Sequence, residues 1–189
     1  MFRPLATAVA LSLGLAALPA AADDVEDALA AALDAYRAGD VKRAAEEASF
    51  ASGLLEQMKA ASLSGLLPEP LDGWTAEDTS AEAQGMALLG GGPVAGRRYR
   101  GPEGSVELML MADSPLGASI APMLANPAIV AATGGEIRRI AGQRAILTAE
   151  GDLMALIANR FLVQMGGSAP VAVKQQYFEA IDVEGLSAF

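Results

Sequence analysis

The sequence predicts an α+β fold: an N-terminal helical hairpin followed by an antiparallel β-sheet flanked by helices. Three observations carry that prediction. Apolar residues recur every three or four positions between Val25 and Met58, the period of a helix. From Val94 onward, short runs rich in β-formers alternate with brief turns, the spacing of antiparallel hairpins. Between the two regions, Pro68–Glu69–Pro70–Leu71–Asp72–Gly73 is turn chemistry that no helix continues through. The predicted organisation is therefore a leader over 1–22, a helical hairpin over 23–67 and an α+β domain over 68–189.

The leader reads as a signal peptide. Met1–Phe2–Arg3 is a short positive start, Leu5 to Leu18 an apolar run, Pro19 a break, and Ala20–Ala21–Ala22 the small residues a signal peptidase requires. The run is shorter than the ~20 residues that span a bilayer, so cleavage after Ala22 is expected, with no membrane span left in the mature chain. The expected compartment is the bacterial periplasm or the exterior. The chain has no Cys, so its core must hold it without disulfides.

In the hairpin, Val25, Ala28, Leu29, Ala32, Leu33 and Tyr36 form the predicted inner stripe of the first helix. Asp23, Asp24, Glu26 and Asp27 sit at its positive dipole end. Gly39 stops it and Asp40 caps the next helix. There the expected inner stripe is Val41, Ala44, Ala45, Ala48, Ala51, Leu55 and Met58, with Phe50 and Leu54 beside it. In the second domain, Val94 to Gly101 and Ser105 to Asp113 flank a Gly101–Pro102–Glu103–Gly104 turn. Leu116 to Leu124 follows as a short helix strained by Pro122 and stopped by Asn126–Pro127. Glu136–Ile140, Gln143–Ala149, Leu153–Ala158 and Phe161–Met165 form a meander. Pro170 to Ala180 is a closing helix.

Two resemblances follow from those residues. Tyr36–x–x–Gly39–x4–Ala44 resembles part of one tetratricopeptide repeat, and a lone repeat cannot bury both its faces. The hairpin is therefore expected to dock on its own sheet domain, the alternative being a partner-binding groove. Gly73–Trp74, the strand hairpin, a helix after Ser114–Pro115, the meander and a terminal helix ending in Ile181–Asp182 resemble the fold of the photosystem II extrinsic protein PsbP and its bacterial relatives, over Leu71 to Leu186. That resemblance implies an accessory or binding role and carries over no functional residues.

Composition narrows the chemistry. The 189 residues include 13 Lys+Arg, 23 Asp+Glu, no His and no Cys. A thiol nucleophile, a Ser–His–Asp triad and a Cys/His zinc site are thereby excluded. A net charge of −10 argues against nucleic acid and anionic lipid as partners. The charge is unevenly spread: residues 23–84 carry 14 acidic against 4 basic residues, and 85–160 carry 6 against 7.

Gly90–Gly91–Gly92–Pro93 lacks the lysine of a phosphate loop and reads as a connection into a strand. Met58, Met86, Met109, Met111, Met123, Met154 and Met165 could offer thioethers to copper, but without His or a short methionine-rich loop they read as core filler. No metal site and no cofactor is expected. Gly117–Ala118–Ser119–Ile120–Ala121 has a nucleophile-elbow look without a base. Glu46–Glu47, Glu77–Asp78 and Glu150–Gly151–Asp152 are the carboxylate groupings a hydrolase would need.

Arg97, Arg98, Arg100, Arg138, Arg139, Arg144 and Arg160 concentrate in the predicted sheet. Arg98, Arg100, Arg139 and Arg144 are the candidate ligand-binding residues, because guanidinium forks suit carboxylates and phosphates. The same arginines could instead pair with Glu107, Asp113, Glu136, Glu150 or the acidic hairpin. The functional expectation is an exported periplasmic accessory or interaction protein with no catalytic site. The alternatives are a binder of a small anion through those arginines, and a carboxylate-dependent hydrolase.

Overall fold

The structure is a computed structural model that describes residues 20–79 and 92–189. Nearly all of the predicted leader, together with Gly90, Gly91 and Met86, lies outside the described residues. Among the described residues, no helix is long and apolar enough to cross a membrane. The chain divides into two compact units, 1–54 and 55–189.

The first unit contains α1 (Ala20–Arg37) and most of α2 (Val41–Ser64). Gly39, at φ +83°, makes the turn in a conformation that favours glycine. Asp40 accepts a hydrogen bond from the Arg43 N–H at 3.0 Å and so caps α2. The stripes differ from expectation. α1 buries Val25, Ala28 and Ala35, while Leu29, Leu33 and Tyr36 are exposed. α2 buries Ala51, with Ala44 and Leu54 half-buried, and exposes Val41, Phe50, Leu55 and Met58.

The second unit is the predicted α+β arrangement. Its sheet has seven strands in the order β1-β2-β3-β7-β6-β5-β4, every neighbouring pair antiparallel. The strands are β1 (Thr75–Asp78), β2 (Val94–Gly101), β3 (Gly104–Ala112), β4 (Glu136–Ile140), β5 (Gln143–Leu147), β6 (Leu153–Ile157) and β7 (Phe161–Gly166). The six later strands fall where turn residues and β-formers place them. β1 was not anticipated, because Thr75–Ala76–Glu77–Asp78 is polar and fully exposed; its pairing to β2 makes it a strand.

Residues alternate between two faces of the sheet. The inner face carries Ala95, Tyr99, Val106, Leu108, Leu110, Leu153, Phe161 and Val163. It is covered by α5 (Val171–Glu179), α6 (Val183–Ala188), Leu63 at the end of α2, and Leu67. Tyr99 stacks on Tyr177 at 4.1 Å between centroids, and Trp74 meets Tyr177 edge-on at 5.7 Å. Gly101 must be glycine here, since a Cβ would fall 2.1 Å from the Trp74 ring. The short α6 lies beyond the predicted end of the chain's last helix, with Asp182 capping it through the Gly185 N–H at 2.8 Å.

On the outer face, Val94, Met111, Ile146 and Leu162 pack under α3 (Pro115–Ala125) and α4 (Pro127–Ala132). Pro122 lies inside α3. Asn126–Pro127 does end α3, but the same Asn126 accepts from the Ala128 N–H at 3.1 Å and starts α4. Asn is an efficient N-cap and Pro fits a first helical turn, so the stop signal is equally a start signal.

Candidate functional site

The outer face beyond α3 and α4 holds the polar side chains, and the strand registers set them in rows. Gly96, Met109, Gln164, Met154, Ile146 and Ile137 form one row across six strands. Glu77, Arg98, Glu107 and Gly166 form the next. Gly166 offers no side chain to this surface, where there is a hollow of about 330 Å³, while the space over Gly96 is taken by Thr79. Arg98, Glu107, Met109, Asp152, Met154 and Gln164 line it.

Its ionic groups are held in pairs. Arg98 donates to Glu107 at 3.0 Å. Asp152 accepts from Lys174 at 2.9 Å, and the ammonium also donates to the Gly151 carbonyl at 2.9 Å. The Lys174 side chain is 2% exposed against 45% for Asp152, so the lysine is buried where it reaches from α5 to Gly151 and Asp152. Neither Gln164 nor the Asp152–Lys174 pair was singled out in the sequence; isolated Lys and Gln carry no local signal there.

The arginines have different surroundings. Arg97 shares the inner face with Tyr99, as strand alternation predicts. It donates to Asp78 at 2.6 Å and to the carbonyls of Ser64, Leu67 and Pro68. It thus sits at the negative C-terminal end of α2, where a cation is favoured. Its hydrogen bond to Asp78 raises its pKa above the ordinary arginine value. Tyr99 donates to the same Pro68 carbonyl at 2.7 Å, and burial pushes its phenol pKa well up.

Arg98 and Arg100 share the outer face. Arg98 lies between Glu77 and Glu107 in register, and Arg100 donates to Glu77 at 2.8 Å. Glu77 and Asp78 therefore point to opposite faces and serve different arginines. Asp113 and Arg160 form a two-bond pair, at 2.9 and 2.7 Å, which holds the Asp113 carboxyl below its usual pKa.

Arg139 and Arg144 stand directly opposite one another across β4 and β5. Four strand spacings, about 19 Å, separate β5 from β2. The structure thus brings the four candidate ligand residues together in two pairs on one face rather than in one site. Arg138 alternates to the other face and pairs with Glu136.

The other candidates find ordinary places. Ser119 lies within α3, its hydroxyl donating to the Leu116 carbonyl at 2.7 Å. Glu46 and Glu47 pair with Lys42 and Arg43 along α2. Met109, Met111, Met123 and Met154 belong to the apolar cluster of the outer face. Among the described residues, no three His, Cys, Asp or Glu side chains gather as a metal site would require. A second hollow of about 310 Å³ lies between α3 and the β6–β7 turn, lined by Ser114, Gly117, Leu156 and the Asp113–Arg160 pair. The chain matches no protein-family model, no curated protein and no solved structure.

Proposed function

We propose that this chain is an exported periplasmic accessory or interaction protein, acting by binding rather than by catalysis, with the hollow on the outer sheet face as its contact surface. The observation that carries this reading is the hollow itself. Its charged walls are held in Arg98–Glu107 and Lys174–Asp152 pairs, while Met109, Met154 and Gln164 supply an adaptable, partly apolar floor. Such a lining suits recognition and leaves no lone general base. The resemblance of residues 71–186 to the PsbP fold points the same way.

The test is fractionation of a bacterium producing the tagged full chain, followed by crosslinking in the released periplasmic fraction. The mature chain is expected there with Asp23 at its N-terminus, give or take about two residues. A specific crosslinked partner is expected to be lost in Gln164→Trp, which fills the hollow, while the melting temperature holds. Retention of Met1 on cytoplasmic protein, or crosslinking indifferent to Gln164→Trp, would count against the proposal.

A second reading, binding of a small anion, is supported by one specific observation. Arg139 and Arg144 have no ion pair to a carboxylate among the described residues.

A further inference from the structure

We propose that Arg139 and Arg144 form a site for a small phosphate-bearing anion at the β4–β5 edge of the sheet. The inference rests on the anion-binding reading and gives it a place and a ligand chemistry. Like charges directly opposite in an antiparallel pair repel one another. In β2 the strand registers set Arg97 beside Asp78 and Arg98 between Glu77 and Glu107. At this edge they set arginine beside arginine.

The register cannot slip to relieve it. Ala141 and Gly142 make the two-residue turn with φ of +47° and +79°, a turn type that fixes hairpin pairing. Moving one residue would also turn Ile137 and Ile146 out of the apolar cluster they join. The fold therefore imposes the juxtaposition, and no carboxylate among the described residues offsets it.

The two guanidiniums are not equivalent. Arg144 donates one N–H to the Leu124 carbonyl at 3.3 Å, at the C-terminal end of α3, which orients its fork. Arg139 is exposed and makes no such bond. One positioned fork and one exposed fork stand on directly opposite residues, a single strand spacing apart. A carboxylate has two oxygens and satisfies one fork. A phosphate monoester or inorganic phosphate offers three or four oxygens and a double charge, enough to accept from both. The chain as a whole, net −10, repels such a dianion, so capture depends on this local pair.

The experiment titrates inorganic phosphate into the full chain by calorimetry, with ionic strength held constant by sodium chloride. The expected result is saturable binding of one phosphate per chain. Arg139→Gln with Arg144→Gln should weaken it at least about tenfold, with the melt unchanged or raised. Arg139→Lys with Arg144→Lys, which keeps charge but removes both forks, should also lose most of the affinity. Arg98→Gln with Arg100→Gln should bind as the parent does.

Loss of binding in the Arg98/Arg100 variant, with the Arg139/Arg144 variants intact, overturns this placement and leaves the anion reading standing. No binding of phosphate by the parent chain overturns both. Vesicles of phosphatidylglycerol provide the last arm. They should not sediment the chain, and sedimentation that free phosphate fails to compete would overturn the small-anion assignment.

Discussion

Among the described residues of the first compact unit, the buried apolar side chains are Val25, Ala28, Ala35 and Ala51. In the second they include Tyr99, Tyr177, Phe161, Phe178, Leu110 and Leu153, each at most 1% exposed. The ionic groups differ in the same way. The helical pair carries Asp34–Arg37, Lys42–Glu46 and Arg43–Glu47, all within one turn of a helix and mostly solvated. The sheet unit links strands and elements far apart in sequence through Arg97–Asp78, Arg100–Glu77 and Lys174–Asp152. The ion pairs of the sheet unit are contacts that no local sequence window contains.

Four measurements would break or sharpen that contrast. The largest effect is expected from Phe161→Ala, which removes a fully buried ring from the inner-face core and should cost about 3–5 kcal/mol in chemical denaturation. Leu33→Ala on the exposed side of α1 should change stability by under about 0.5 kcal/mol. Equal costs at the two sites would erase the distinction between the units.

Next comes the ion pair of Lys174 with Asp152, which lines the hollow. Asp152→Ala leaves the buried Lys174 ammonium with only the Gly151 carbonyl, and should cost about 3 kcal/mol. Lys174→Met leaves a half-exposed carboxylate that water serves, and should cost under about 1.5 kcal/mol. Glu46→Gln in the helical pair should move the denaturation midpoint very little. A Lys174→Met variant weaker than Asp152→Ala would mean that the lysine contributes mainly through packing.

Tyr99→Phe should cost about 1 kcal/mol, because the Pro68 carbonyl keeps its bond from Arg97. Tyr36→Phe, on an exposed helix face, should cost nothing measurable. The pH dependence carries a sign. Burial raises the Tyr99 and Tyr177 pKa values, so the folded chain holds those protons more tightly than the unfolded chain. That stability is intact below the ordinary phenol value near ~10 and falls as pH rises above it. Urea midpoints from about pH 8 to 11 should therefore decline less steeply in Tyr99→Phe than in the parent.

The smallest effect is expected at Asp113, whose carboxyl is held low by its hydrogen bonds to Arg160. Its contribution is present above the unfolded carboxylate value near ~3.9 and is lost as pH falls through the lower folded value. Both partners are largely solvated, so Asp113→Asn should cost under about 1 kcal/mol at neutral pH. Parent and variant should converge in acid, and a gap that persists at about pH 2.5 would point to packing instead.

Sequence by itself determined the fold class, the helical pair, its Gly39–Asp40 connection and six of the seven strands. Each of those is written in local signals: a period of residues, a turn dipeptide, a cap. It also placed Arg98 and Arg100 on one face and Arg97 on the other, because strand alternation is a local rule. Tertiary structure alone decided which stripe of α1 is buried, since Ala28 and Leu29 are neighbours in sequence and no local rule leaves the larger one exposed. It made Thr75–Asp78 a strand by giving it a partner. It also divided the four candidate arginines, setting Arg98 and Arg100 beside glutamates and Arg139 against Arg144. The physical reason is that charge pairing across a sheet depends on strand order and register, and β2 reaches β5 only through β3, β7 and β6.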